Sequence, residues 1–351
     1  MQSPSSHDDT DLRGLLRSIA YRMTGSVTEA EDLVQEAYLR LERAQQHGTV
    51  VESPSAYLAA ATTRLAINHL RSARVRRETY VGTWLPEPIV CDLHERPEQM
   101  AELSDSLTMA FLVLLERLSP VERAVLLLRD VFDYSYEDIA QIVDKHEANC
   151  RQILARARRH IDAHRARYEA SEEHSAALAQ SFLAAARGGD LGRLVDLLAA
   201  DATFVGDGGG KATAVRAPVY GRDRVAALLV AMFDQAPRRG VRVEAVRVNG
   251  EAGFIVYDGE DKIVSVFSLE IRGGVIQTVR GIVNPDKLGH LGPVSDIARI
   301  RQGPKTMHHD RSPDAPMVDP PRRPWPTRLA LSGSTSLNRV LRCPPQRGLI
   351  P

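Results

Sequence analysis

The chain has 351 residues, 43% of them hydrophobic and 26% charged, which is too long for one average domain and sufficient for two or three with their own cores. Lys+Arg and Asp+Glu both total 45, so net charge selects no partner and only the local distribution of charge informs. Cys91, Cys150 and Cys343 lie far apart without a C-x-x-C pair, which excludes a zinc ribbon or disulfide framework and fits a reducing cytoplasm. The N-terminal MQSPSSHDDTDLRG has no basic and apolar leader pattern and no run of 18 apolar residues occurs, so a soluble protein that is neither exported nor membrane-bound is expected.

In chain order, Leu12, Leu15, Leu16, Ile19 and Ala20 form a helical stripe that Gly25-Ser26 breaks. Thr28, with Glu31 three residues on, reads as the capping box of a second helix burying Leu33, Val34, Ala37, Tyr38 and Leu41 and exposing Glu31, Asp32, Gln35, Glu36 and Arg40. Ser53-Pro54 opens a third helix that ends in a basic stripe: residues 61 to 80 hold five arginines, Arg64, Arg71, Arg74, Arg76 and Arg77, against one acid, Glu78. Ser119-Pro120-Val121-Glu122 combines cap, first-turn proline and capping box at the start of another helix.

The stretch from Tyr134 to Arg159 reads as two short helices joined by a tight turn, with Ser135 as N-cap and Asp144-Lys145 at the turn. Its second helix buries Cys150, Ile153 and Leu154 and presents Glu147, Arg151, Gln152, Arg156, Arg158 and Arg159 outward, which suits base edges and phosphates in a major groove. Asn68, one turn before Arg71, adds a hydrogen-bonding group to the first stripe.

AEDLVQEAYLRL (30 to 41), SPSAYLAAATTRLAINHLRSARVRRE (53 to 78) and LSPVERAVLLLRDVFDYSYEDIAQIV (118 to 143) resemble the two principal domains of extracytoplasmic-function sigma factors. The resemblance implies a sigma domain 2 over residues 10–77, after a tail of residues 1–9, and a sigma domain 4 over 105–168. It assigns Asp32, Gln35 and Glu36 to core RNA polymerase and the segment Arg64 to Arg77 to the minus-ten element. The outward face of the second helix-turn-helix helix is assigned to the minus-thirty-five element. Asn68, where the family often carries Asp, and Asp144, where such turns favour Gly, depart from the pattern.

The linker, 78–104, carries Trp84-Leu85-Pro86-Glu87-Pro88, an extended proline pair beside an aromatic anchor. From 172 to 290 the pattern changes to helices at Ala177 to Arg187, Leu191 to Ala199 and Asp223 to Phe233, followed by strands separated at Asn249-Gly250, Asp258-Gly259 and Gly273-Gly274. This region resembles the SnoaL-like domains, α+β cones around a pocket, so an unidentified small ligand has a place there; Phe204, Val243, Ile255 and Phe267 are assigned to the interior. Asp207-Gly208-Gly209-Gly210-Lys211 is no phosphate loop, because Val205 replaces its first glycine and Ala212 its Ser or Thr. Its Asp and Lys instead project as a docking edge, and Asn284-Pro285-Asp286-Lys287 supplies a second such pair.

Together WLPEP, DGGGK and NPDK resemble the SigJ-like group of sigma factors, whose fused SnoaL-like domain acts in place of a separate anti-sigma factor. The fold class expected is therefore multidomain: two all-α domains and one α+β cone. The expected function is a sigma factor that directs transcription initiation with core polymerase and promoter DNA as partners, with no catalysis, cofactor or metal. The alternative is a SnoaL-like enzyme or small-molecule-sensing regulator fused to a DNA-binding module. Residues 301 to 351 hold ten prolines and nine basic residues against three acids, and the tail 291–351 is expected to be disordered.

Overall fold

The computed structural model describes residues 6–78, 80–91, 107–162, 172–233 and 240–296. The first helical domain comprises α1 (Ser6–Thr24), α2 (Val27–Gln46) and α3 (Pro54–Glu78). Gly25 turns the chain between α1 and α2 with φ +71°, and a Cβ there would meet the Trp84 ring at 2.7 Å. Ser26 follows in extended conformation and its hydroxyl accepts from Glu29 N at 3.1 Å, so Ser26 is the N-cap of α2. The expected Thr28 cap is corrected: Gly25 places the half-extended cap position at Ser26, and Thr28 already lies inside the first turn.

The second helical domain comprises α4 (Met109–Leu115), α5 (Pro120–Asp130), α6 (Tyr136–Val143) and α7 (Glu147–Asp162). Both reciprocal bonds of the Ser119/Glu122 capping box form, and Ser135 caps α6 by accepting from Asp138 N at 3.1 Å. Asp144 ends α6 in the left-handed region, φ 54° and ψ 60°, a conformation that Asp tolerates better than most side chains. Cys150, Ile153 and Leu154 of α7 are buried as their spacing requires. One apolar core runs from Leu16 and Leu70 in the first domain to Leu127 and Leu154 in the second, so the two helical domains share an interior.

The third domain packs α8 (Glu172–Gly188), α9 (Leu191–Leu197) and α10 (Arg222–Phe233) on a seven-stranded sheet of order β1-β4-β5-β6-β7-β2-β3. Its strands are β1 (Val90–Cys91), β2 (Leu198–Asp207), β3 (Val219–Tyr220), β4 (Arg242–Val248), β5 (Glu251–Tyr257), β6 (Ile263–Arg272) and β7 (Val275–Ile282). β4 to β7 form the expected antiparallel meander, whereas β2 pairs with β7 in parallel. The helix expected to reach Ala199 stops at Leu197, because Leu198 is extended and pairs with Ile276.

The interior between sheet and helices is aromatic. Phe254 stacks on Phe267 at 4.7 Å between ring centres, with Phe233 at 5.8 Å and Phe182 at 6.2 Å from Phe254. Phe204 and Val243 also pack there, as expected. Ile255 does not: Phe254 and Val256 take the inward positions of β5, and strand alternation turns Ile255 to the opposite face, against Leu85, Met109 and Leu288. That outer face is where the cone meets the linker and α4.

Past residue 290 the chain stays on the cone, with Val294 bridging Ile263 and Ser295 Oγ donating to Asp258 at 2.5 Å. The beginning of the tail at 291 is corrected accordingly, and the expected disorder of 297–351 lies outside the described residues. Among the described residues no helix is long and apolar enough to cross a membrane, and no cluster of His, Cys, Asp and Glu could hold a metal ion.

Candidate nucleic-acid interface and interdomain clamp

Arg64, Asn68 and Arg71 are exposed on α3 at successive turns of one face. Arg74, Arg76 and Arg77 continue along α3, but their side chains lie outside the described residues. Arg64 already has acceptors within the protein: Nε donates to Ile142 O at 2.9 Å and Nη2 to Gln141 O at 2.7 Å, in the last turn of α6. On α7, Gln152 and Arg156 are exposed, and Arg159 Nε donates to Ala155 O at 3.2 Å. Arg151 pairs with Glu147 at 3.0 Å and lies over the Tyr136 ring at 4.5 Å, which orients the start of the outward face. Arg158 makes a two-bond pair with Asp130, at 2.6 and 3.0 Å, and so ties α7 to α5. On α2, Asp32 and Gln35 are exposed and Glu36 pairs with Arg40 at 2.8 Å.

The linker motif is clamped from both sides. Asp207, fully buried at the end of β2, accepts through Oδ1 from Tyr80 Oη at 2.5 Å and Gly209 N at 3.1 Å. Its Oδ2 accepts from Leu85 N at 2.8 Å and Lys287 Nζ at 2.7 Å. Lys287 also donates to Leu85 O and lies 4.2 Å from the Trp84 ring centre and 5.1 Å from that of Tyr80. Asn284 Nδ2 donates to Tyr80 Oη at 3.0 Å, and its Oδ1 accepts from Asp286 N at 3.2 Å, holding the turn that Pro285 opens. Gly209, between Gly208 and Gly210, has φ +57° and no room for a Cβ, which would fall 2.3 Å from Asn284.

Burial first, and then the hydrogen bond and negative charge of Asp207, push the Tyr80 hydroxyl well above the ordinary tyrosine pKa, so it stays a donor. The two Asp/Lys motifs therefore pair crosswise: Asp207 with Lys287 inside, and Lys211 with Asp286 at 2.5 Å on the surface. The expected projecting Asp207–Lys211 pair is corrected, because the three glycines fold Asp207 inward toward the amide of Leu85.

Two residues after Leu85 the linker turns to the first domain. Glu87, buried, accepts from Ser26 Oγ and Val27 N at 2.7 Å and from Thr28 N at 3.2 Å, placing a carboxylate on the N-terminus of α2. Glu87 N donates to Gly25 O at 2.8 Å, while Pro86 packs beside Gly25. Replacing Glu87 by Ala is expected to cost about 2 kcal/mol, the upper range for an N-cap, and Glu87→Gln less, as read by thermal melting.

Asn249, in the β4–β5 turn, then joins all three domains. Its Nδ2 donates to Tyr21 Oη at 2.7 Å and Leu107 O at 3.0 Å, and its Oδ1 accepts from Ile89 N at 3.0 Å. Beyond it β1 of the linker pairs with the edge of β4. Tyr21, Tyr80, Asn249 and Ser26 are clamp residues that sequence reasoning missed; Asn249-Gly250 was legible only as a turn.

Residues 10–76 match the Sigma-70 region 2 family, 108–161 match Sigma-70, region 4, and 179–303 match the SnoaL-like domain. The ECF RNA polymerase sigma factor SigJ of Mycobacterium tuberculosis is 38% identical over 287 residues, 79% of this chain and 90% of that protein. The chain belongs to the extracytoplasmic-function sigma factors, in the SigJ-like group with a fused SnoaL-like domain. The crystal structure of Mycobacterium tuberculosis SigJ superposes on this sigma factor with a TM-score of 0.66 at 31% identity, covering 82% of this chain and 99% of that one. The probable ECF sigma factor SigI of the same species is 29% identical over 80% of this chain and 93% of its own length. A sigma factor directs transcription initiation, and its first and second helical domains here are sigma domains 2 and 4.

Proposed function

We propose that this sigma factor is held in a closed state by its own SnoaL-like domain, through the clamp on the linker. Asp207 carries the proposal: one buried carboxylate of the cone accepts from the side chain of Tyr80 and the backbone of Leu85, both in the linker. The cone also touches domain 2 through Asn249 and domain 4 through Met109, so while docked it fixes both ends of the linker. A 27-residue linker from 78 to 104 spans at most about 90 Å when extended, but only if it is released. The reading of two elements about 25 base pairs apart needs about 85 Å at 3.4 Å per base pair, a reach the pinned segment from Tyr80 to Cys91 does not have. The fused domain thus does the work of a separate anti-sigma factor, and tethering makes a modest contact sufficient.

The polymerase contact is assigned to Asp32, Gln35 and Glu36. Arg64, Asn68, Arg71, Arg74, Arg76 and Arg77 serve the minus-ten element, and the α7 face the minus-thirty-five element. Reversing charge at Asp32 and Glu36 together is expected to abolish pull-down of core polymerase while the melting temperature stays within a few degrees, since both are surface groups. Retained binding would remove the acidic face from the account. Catalysis is not assigned to the cone, whose interior packs Phe254 on Phe267 among other apolar side chains.

A further inference from the structure

Domains 2 and 4 are held together by more than their common core. At each end of their contact an arginine of one domain caps the C-terminal end of a helix in the other. From domain 4, Arg123 of α5 is buried and sends Nη1 to Met23 O in the last turn of α1 at 2.6 Å. The rest of that guanidinium is fixed at home, with Nε and Nη2 on Leu115 O at 3.0 and 2.6 Å and Nη2 on Glu116 at 2.7 Å. Burial lowers Arg123 to about 9, which still leaves it a cation at neutral pH. From domain 2, Arg64 of α3 sends its fork to Gln141 O and Ile142 O at the end of α6. Helix C-termini carry carbonyls without intrahelical partners and partial negative charge, so both arginines sit where a cation is favoured.

These contacts are incompatible with promoter reading. α3 and α6 meet across hydrogen bonds of 2.7 and 2.9 Å, and α6 is the first helix of the helix-turn-helix. Two promoter elements about 85 Å apart cannot be read by helices in contact. Opening therefore frees Arg64, the residue that heads the α3 basic stripe.

We propose that Arg64 and Arg123 form a reciprocal lock between sigma domains 2 and 4 which closes the free protein against core polymerase, and that Arg64 is handed from this lock to promoter DNA on opening. The lock lies between the sigma domains themselves and is distinct from the clamp through which the cone holds the linker. If polymerase binds only the open form, its apparent affinity is reduced by the open fraction, and weakening the lock must strengthen binding.

The test is a titration of core polymerase with the full chain, wild type and variants, together with the distance between dyes placed at the exposed Gln45 and Ala155. Arg64→Ala is expected to bind core polymerase about tenfold more tightly, the equivalent of one charge-assisted hydrogen bond lost from the closed state alone. Arg64→Lys, which keeps the charge but not the fork, should gain less. The dye distance should lengthen when wild type binds polymerase. Unchanged or weaker binding by a folded Arg64→Ala chain, or no lengthening, would overturn the proposal. Arg64 is exposed, so its variants fold; Arg123→Lys serves as the second variant where thermal melting shows it folded, with tighter binding expected and unchanged binding counting against the lock. A wild-type chain that bound no polymerase would instead strike at the polymerase contact assigned to α2.

Discussion

The Asp207→Ala chain is expected to lose about 3–5 kcal/mol of docking free energy while each domain keeps its own core. The magnitude follows from what the carboxylate leaves behind. Lys287 stays buried without its carboxylate counter-charge and the Leu85 amide loses its acceptor, two weakened buried groups at once. Hydrogen exchange should rise over residues 80 to 91 and in the Asn284–Lys287 turn, and remain slow in α5 and in β5 and β6. The double variant Asp207→Ala with Lys287→Met should recover part of the loss, because an apolar side chain of similar length ends the charge burial. Lys211→Ala, by contrast, removes only an exposed pair and should change stability by less than about 1 kcal/mol.

Phe254→Ala should cost as much by a different route. Phe254 is 1% exposed and contacts three other rings, so truncation removes a large apolar surface and opens a cavity, about 3–5 kcal/mol in all. Exchange should then rise throughout the cone, including β5 and β6, where Asp207→Ala leaves protection intact. The two variants separate undocking from unfolding. Both free the linker, so if the clamp is what restrains the sigma domains, both should act in the same direction on transcription.

Local chemistry made much of this legible in advance. The capping box at Ser119 and Glu122, the Ser135 cap and the left-handed Asp144 turn depend on neighbours within four residues, and the structure shows each of them. The helix-turn-helix followed from periodicity for the same reason. Partner choice over long separations was not legible. Two Asp and two Lys in DGGGK and NPDK allow several pairings, and only the cone sheet, which ends β2 beside the linker, selects Asp207 with Lys287. Ile255 was misplaced because β5 is buried on both faces, so hydrophobicity alone could not say which residues face the helices. Arg64 reads from sequence as the head of a DNA-binding stripe and nothing more; its acceptors are 77 and 78 residues away, in a helix that no local pattern connects to it. Thr28 and Glu31 fit the capping-box spacing, but a glycine turn three residues before Thr28 and a glutamate from the linker decided the start of α2.

The measurement that tests the central claim most directly is in vitro transcription with core RNA polymerase on a promoter library, comparing the full chain with Asp207→Ala at equal concentration. The account predicts initiation that depends on this protein and rises severalfold when the clamp is broken, because the released linker lets sigma domains 2 and 4 separate. Equal or lower output from a folded and demonstrably undocked Asp207→Ala chain would contradict it, leaving a sigma factor whose cone does not restrain it.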